Sequence, residues 1–201
     1  MSELLTFMEL GFRHITDVRG LDHVLFLLAL AAIYRARDWR NALWVVTAFT
    51  VGHSITLALA VTGVILLPSE IIEFLIPVTI VATCIENIVV REREHALWKG
   101  HYRPIFAGVF GLVHGAGFAN YLRDLFIERV AVPLLGFNLG IEIGQVAVLL
   151  VAGAVFLMFD KVLNRFRTFR GFPPPLRLRV LAVSLAVMVV ATRWAIARSP
   201  W

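Results

Sequence analysis

The longest apolar run of the chain covers residues 130–159 and contains one ionisable side chain, Glu142. About 20 apolar residues are enough for a helix to cross the hydrocarbon core of a membrane. Five further runs are also predominantly apolar, and the first of them is short: residues 22–34, 41–66, 71–90, 104–122 and 178–197. The sequence therefore predicts an all-α membrane protein, a bundle of about six transmembrane helices that forms one polytopic domain over residues 1–201.

The segment before the first run differs from the six predicted spans. Residues 3–10 are rich in apolar side chains but contain Glu3 and Glu9, and they are too few to cross a membrane. We expect a short N-terminal helix that lies in the interface or re-enters the bundle. A loop between Gly11 and Gly20 separates this helix from the first span, and no strong internal repeat is visible in the sequence.

The charged residues fit a membrane protein better than a nucleic-acid-binding one. Only 16% of residues are charged, against about 25% in soluble domains, and the net charge of +5 comes from Lys and Arg in short hinges. The hinges after the first, third and fifth spans hold 13 of the 19 basic residues, and the opposite side holds six. The positive-inside rule then predicts an integral protein of the bacterial inner membrane with both termini on the non-cytoplasmic side.

Polar residues inside the predicted spans need a partner, because a carboxylate at the centre of a span costs about 2.5–3.5 kcal/mol on insertion scales. Asn138, Glu142 and Gln145 are spaced so that they form one stripe along the fifth span. Three glycines spaced by four residues lie on roughly the opposite face, where another helix can approach closely: Gly136, Gly140 and Gly144. We expect this helix to be buried on both sides, with its polar stripe lining an internal site.

Histidines interrupt several apolar runs, and together they indicate a metal site. His23 follows Asp22 at the start of the first run, and His53 and His114 lie in the middle of later runs. Neutral imidazoles and carboxylates are the ligand set of nickel, cobalt, zinc and iron. The predicted metal ligands are His14, Asp22, His23, His53, His114 and Glu142. The residues predicted to support these ligands or to line an ion path are Ser54, Glu86, Asn87, Asn138 and Gln145.

Several segments of the chain resemble the HupE/UreJ family. The resemblance is carried by Gly11 to His14, Gly20 to His23, Phe49 to Leu57, Glu86-Asn87, Phe110 to Phe118 and Phe137 to Gln145. Members of this family are small polytopic proteins associated with hydrogenase and urease accessory systems and regarded as nickel or cobalt permeases. The resemblance implies the same type of protein here.

Three functions remain open at this stage. The first is a permease for a divalent transition metal such as nickel or cobalt. The second is an intramembrane zinc hydrolase, with His23, His53 and His114 on the metal and Asp22, Glu86 or Glu142 as general base. The third is a metal-binding or proton-relay protein without catalysis. The expected partners are a metal ion and the lipid bilayer, with no nucleic acid, and a homo-oligomer is compatible with the sequence. His95 and His101 fall in a polar loop, where we expect them to be solvated.

Overall fold

The computed structural model describes residues 3–17, 20–65, 68–90, 102–125, 130–165 and 173–201, with the backbone alone for residues 119–125. In these segments all regular structure is helical, and a short 3-10 turn, Ala36–Asp38, precedes the third helix. The helices are α1 (Glu3–Thr16), α2 (Asp22–Ala31), α3 (Trp39–Val61), α4 (Ser69–Val89), α5 (Arg103–Leu125), α6 (Ala131–Arg165) and α7 (Pro175–Ala197). Four stretches are long and apolar enough to cross a membrane: Ala36–Val61, which contains α3, and the helices α4, α6 and α7. The chain is thus an all-helical integral membrane protein.

Helices α1 and α2 lie one after the other along α6, and both run in its direction. In order along α6, the contacts are Leu4 with Gly136, Met8 with Gly140, Ile15 with Gly144, and Ala31 and Ala32 in one cluster with Ala152 and Phe156. The predicted first span contains only the ten residues of α2, about 15 Å of helix, which is half the thickness of a hydrocarbon core. The 14 residues of α1 precede it on the same side of α6 and extend its path.

Helices α3 and α5 form a second parallel pair that is held together through glycines. A Cβ atom on Gly111 would overlap the carbonyl oxygen of Phe49, and one on Gly115 would overlap that of His53. Such close contact is possible only because the glycines have no side chain, as at many helix contacts in membranes. The pairing fixes the height of His53 relative to α5.

The packing of α1 on α6 repeats the packing of α5 on α3, so the chain contains an internal repeat that the sequence did not reveal. The matching backbone contacts are Gly11 with Phe137 and Ile141, Gly111 with Phe49 and His53, Gly140 with Met8 and Phe12, and Gly52 with Gly108 and Leu112. Every α1 residue in this set is 100 positions before its α5 counterpart, and every α3 residue is 88 positions before its α6 counterpart. The motif Gly-x-x-His occurs at both equivalent places and ends in His14 and His114.

The two helix pairs cross in opposite directions. The ring of His53 is 6.5 Å from that of Phe137, whereas Thr47, earlier on α3, bonds to Glu142, later on α6. Helices α3 and α6 are therefore antiparallel. Helices α4 and α7 are antiparallel as well, since Phe74 contacts Trp201 at one end and Asn87 contacts Ser184 towards the other.

Helix α6 uses three faces for three purposes. Its glycines contact α1, which agrees with the close helix neighbour predicted for that face, and Glu142 and Gln145 of its polar stripe bond to α3. Its remaining surface carries apolar side chains that are largely exposed, such as Leu135, Ile143 and Leu150. A continuous exposed apolar surface of this kind is what lipid covers in a membrane protein.

Candidate metal centre

Three histidines from three helices meet near the end of α1. One ring nitrogen each of His14, His23 and His53 lies within 4.8 Å of the other two. In a tetrahedral site with metal–nitrogen bonds of about 2.0–2.1 Å, neighbouring nitrogens are about 3.4 Å apart. Modest side-chain rotations therefore bring these three nitrogens to ligand distance from one ion.

His114 adds a fourth imidazole to this group from α5. Its ring centroid lies 5.4 Å from that of His23, and its side chain is buried. Its Nδ1 is 2.9 Å from the carbonyl oxygen of Phe110, which can only accept a hydrogen bond, so Nδ1 carries the proton. The lone pair is then on Nε2, the state in which a histidine binds a metal. We refer to His14, His23, His53 and His114 as the imidazole cluster.

The imidazole cluster contains buried nitrogens that lack protein partners. The Nε2 atoms of all four rings, and also Nδ1 of His53, have no hydrogen-bond partner among the described residues. Leaving a polar group buried without a partner costs about 1–3 kcal/mol. Four such groups at one place indicate a ligand that is bound through nitrogen lone pairs, and a transition-metal ion fits that requirement.

Aromatic side chains surround the imidazole cluster and limit how far its rings can move. Phe118 lies 4.0 Å and Phe137 5.6 Å from the ring of His14, measured between ring centroids. Phe49 and Phe26 lie 5.1 Å and 5.6 Å from the ring of His114. These apolar rings exclude water from the cluster, and in dry surroundings the nitrogen lone pairs are more costly to leave unmatched.

Two of the predicted metal-binding carboxylates have partners other than histidine. Asp22 receives two long contacts from the Arg198 guanidinium, at 3.3 and 3.4 Å. Glu142 accepts a hydrogen bond of 2.5 Å from the hydroxyl of Thr47. Asp22 is nevertheless next to His23 in the chain, and Glu142 is on the helix that carries Phe137. Among the described residues, neither carboxylate has a hydrogen bond to an imidazole ring.

Glu86 and Asn87 lie in a different part of the bundle. Glu86 accepts hydrogen bonds from Tyr102 and Arg103, and Arg103 also donates to Asn87 at 3.0 Å. Asn87 in turn donates to the carbonyl of Ala29 at 2.6 Å. The structure therefore does not bring this pair to the imidazole rings. Glu86, Tyr102 and Arg103 instead line a partly open cleft whose apolar wall includes Phe26 and Phe110.

The remaining predicted support residues follow α3 and α6. Ser54 donates to the carbonyl of Thr50 in its own helix, at 2.6 Å. Gln145 is fully buried and accepts a hydrogen bond of 2.8 Å from the Thr50 hydroxyl, while its Nε2 has no partner among the described residues. The same holds for Oδ1 of Asn138. Among the described residues, no hydrogen bond joins Ser54, Asn138 or Gln145 to an imidazole ring.

The structure adds polar residues that the sequence reasoning did not single out. Each of five residues binds one of the predicted site residues: Thr47 and Thr50 on α3, Tyr102 just before α5, Arg103 at its start, and Arg198 just after α7. Thr47 and Thr50 are three residues apart on an apolar helix, and this spacing could have indicated a polar face that contacts another helix. Nothing in the sequence ties Arg198 to Asp22, because 176 positions separate them. His95 and His101 lie outside the described residues.

The comparisons with known proteins identify the family but give no relative of known function. The family model described as HupE / UreJ protein matches residues 1–198, nearly the whole chain. Neither a curated protein nor a solved structure matches the chain. This match agrees with the membrane-spanning helices and with the buried histidines, and the chain belongs to the HupE/UreJ family.

Proposed function

We propose that the protein is a membrane permease for a divalent transition metal, nickel or cobalt, and that the imidazole cluster is where the ion binds during passage. The observation that carries the proposal is the set of four buried Nε2 atoms that have no hydrogen-bond partner within the described part of the chain. Neutral imidazoles suit nickel and cobalt. Family membership supports a transporter of this type.

The ligand set fits transport because it can release the ion again. Passage through a membrane requires binding strong enough to strip water from the ion and weak enough to allow it to leave. Four neutral imidazoles bring no negative charge to the ion, and the carboxylates of Asp22 and Glu142 have other partners that the ion must displace. The membrane potential, negative inside, favours inward movement by about 2.3 kcal/mol per charge per 100 mV.

A path through the bundle follows from the order of the polar groups. Asp22 meets the ion from the outer side, and His14, His23, His53 and His114 then bind it together. Glu142 and then Glu86 provide carboxylates towards the cytoplasm, with Ser54, Asn87, Asn138 and Gln145 beside them. The Tyr102–Arg103–Glu86 group must open for an ion to reach Glu86, because both donors occupy its carboxylate.

The proposal is tested by metal binding and uptake with purified protein in proteoliposomes. We expect nickel or cobalt uptake driven by an inside-negative potential. Loss of a residue that only supports a ligand lowers metal affinity by about 10–100-fold, and His53→Ala and His23→Ala should each lower it further. His101→Ala, in a predicted solvated loop, is the matched control and should bind as the wild type does. Uptake that survives both cluster variants would exclude the proposed route.

An intramembrane zinc hydrolase is the second candidate, because three histidine nitrogens converge within 4.8 Å. Three histidines with one open position form a catalytic zinc site, which lowers the pKa of bound water to about 7. Such an enzyme also needs a carboxylate base, and Asp22, Glu86 and Glu142 all have other partners. Zinc that stays bound in stoichiometric amount through purification, without uptake of any ion, would favour this candidate over the permease.

A further inference from the structure

We infer that α1–α4 and α5–α7 are two repeats inserted in the membrane in opposite orientations, and that cation passage exposes the imidazole cluster to one side and then the other as two interlocked helix pairs move against each other. The pairs are α1 with α6 and α3 with α5, called here the α1·α6 pair and the α3·α5 pair. The inference rests on the proposed transport function and names its conformational step.

The opposite orientation of the repeats follows from the contacts. Within each pair the helices are parallel, and the same four backbone contacts recur in both pairs. Between the pairs α3 and α6 are antiparallel, as the His53–Phe137 and Thr47–Glu142 contacts require. Equivalent helices therefore point in opposite directions. Each repeat continues into a hairpin partner, α4 after α3 and α7 after α6, and these two partners pack antiparallel on each other.

Each pair is locked at the level of the backbone. At Gly140 and Gly52 an added Cβ would overlap a carbonyl oxygen of the neighbouring helix, that of Met8 and that of Gly108. Helices that touch through backbone atoms cannot slide without breaking many close contacts, since packed interiors tolerate little change of volume. We therefore treat each pair as one moving body.

The contact between the pairs is made by side chains instead. None of the described glycines of one pair meets the other pair. Between the described parts of the two pairs, the contacts include the hydrogen bonds of Thr47 with Glu142 and of Thr50 with Gln145, and rings that meet around His14 and His53. Side-chain contacts of this type can be exchanged for others when one body rotates, as in known two-state transitions.

The imidazole cluster lies on this boundary, and both pairs contribute to it. His14 comes from the α1·α6 pair, and His53 and His114 come from the α3·α5 pair. His23 is the second residue of α2, close to the break between α1 and α2. A broken helix beside a binding site at the interface of inverted repeats is the arrangement through which many secondary transporters alternate their access.

The test is to bridge the boundary reversibly and to compare bridges across it with bridges inside a pair. In a Cys84→Ala background, Thr50→Cys with Gln145→Cys joins the two pairs, and a short bifunctional methanethiosulfonate forms the bridge. Ile15→Cys with Gly144→Cys joins α1 to α6 within one pair, where the corresponding Cβ atoms are 3.1 Å apart. Nickel uptake into proteoliposomes and equilibrium nickel binding are measured before bridging, after it, and after reduction.

We expect the bridge across the boundary to lower uptake by at least about tenfold, because it holds the conformational equilibrium in one state. Nickel binding should stay within about twofold, and reduction should restore uptake. The bridge inside the pair should leave uptake within about twofold, because the pair moves as one body. A second boundary bridge, Phe118→Cys with Phe137→Cys, replaces the first if the unbridged Thr50/Gln145 variant takes up no nickel.

The outcomes separate this inference from the proposed function. Uptake that continues unchanged through both boundary bridges would overturn the movement of the pairs and leave the permease intact. Loss of uptake with the bridge inside the pair, equal to that of the boundary bridge, would also overturn it. A wild-type protein that neither binds nor takes up nickel or cobalt would instead remove the proposed function itself.

Discussion

Asp22 shows how one residue can be held ready for a ligand by a competing positive charge. Its carboxylate receives long contacts of 3.3 and 3.4 Å from Arg198, which also lies over the ring of Trp194. Ion pairs that remain partly exposed contribute at most about 1 kcal/mol, so an incoming dication can replace the arginine. The Arg198 guanidinium thus pairs with the carboxylate of Asp22, which precedes His23 of the imidazole cluster in the chain.

Replacement of Arg198 by the metal ion at the Asp22 carboxylate predicts different effects of mutating these two residues. Asp22→Asn should weaken nickel binding by about tenfold, the low end of the range for groups next to a metal site. Arg198→Ala should not weaken nickel binding, because it frees the carboxylate. Isothermal titration with purified protein measures both changes, and Arg193→Ala is the control on the same helix. Equal losses in Asp22→Asn and Arg198→Ala would mean that the pair only supports the fold.

Asn87, which was predicted from the sequence to lie beside the ion path, also has a structural role. Its amide donates to the carbonyl of Ala29 on α2 and lies 3.4 Å from Ser184 on α7, and its oxygen accepts from Arg103. One buried side chain therefore joins four helices. The sequence could indicate only that an asparagine in an apolar helix needs partners, since the partners come from distant positions.

Removal of the Asn87 side chain is expected to lower stability. Asn87→Leu leaves the Ala29 carbonyl and the Arg103 guanidinium without this partner, which costs about 1–3 kcal/mol. Thermal unfolding in detergent measures the change. Thr62→Ala is the control, because its exposed hydroxyl bonds only within its own helix, and it should stay within about 0.5 kcal/mol of the wild type. An unchanged midpoint in Asn87→Leu would contradict this role.

At the scale of the helices, hydropathy predicted where most helices lie but not which of them pair. The predicted spans at residues 71–90 and 104–122 correspond to α4 (Ser69–Val89) and α5 (Arg103–Leu125). The pairing of α1 with α6 depends on how glycine faces fit together in three dimensions. The glycine ladder of α6 predicted a close neighbour correctly, but no local pattern named α1 as that neighbour. The repeat could not be recognised in the sequence for the same reason, because the two halves share backbone contacts but few side chains.

The repeat predicts that equivalent glycines have equivalent effects. Gly140→Ala and Gly52→Ala each put a methyl group onto a carbonyl of the neighbouring helix, and overpacking of this kind costs about 1–3 kcal/mol. Both should also weaken nickel binding, because they displace His14 and His53. Gly153→Ala, where nothing lies within 4 Å, should instead stabilise by up to about 1 kcal/mol through helix propensity. Thermal unfolding and nickel titration test all three, and a harmless Gly140→Ala beside a damaging Gly52→Ala would contradict the equivalence.

At the scale of the whole molecule, the number of membrane crossings depends on α1 and α2. The sequence predicted six spans, with residues 22–34 as the first and the N-terminal helix outside the count. The ten residues of α2 cannot cross alone, but α1 and α2 in series along α6 have 14 and 10 residues and together match one crossing. The described residues show four helices that are long and apolar enough to cross, and the count of six stays a prediction, with α1 and α2 proposed as a first span broken beside His14 and His23. Hydropathy could not predict this, because the face of α1 with Glu9 and Arg13 is charged and exposed.

A crossing made of α1 and α2 predicts on which side of the membrane three positions lie. Single cysteines at Ser2, Arg37 and Trp201 in a Cys84→Ala background are labelled in intact cells with a thiol reagent that cannot cross the membrane. Ser2→Cys and Trp201→Cys should react, and Arg37→Cys, in the turn before α3, should react only after the membrane is opened, because the positive-inside rule predicts that the basic hinges lie inside. Lys99→Cys should behave as Arg37→Cys does and serves as the control for an inner loop. If Ser2→Cys and Arg37→Cys are labelled on the same side, α1 and α2 do not form one crossing, and the two repeats lose the opposite orientation on which alternating access depends.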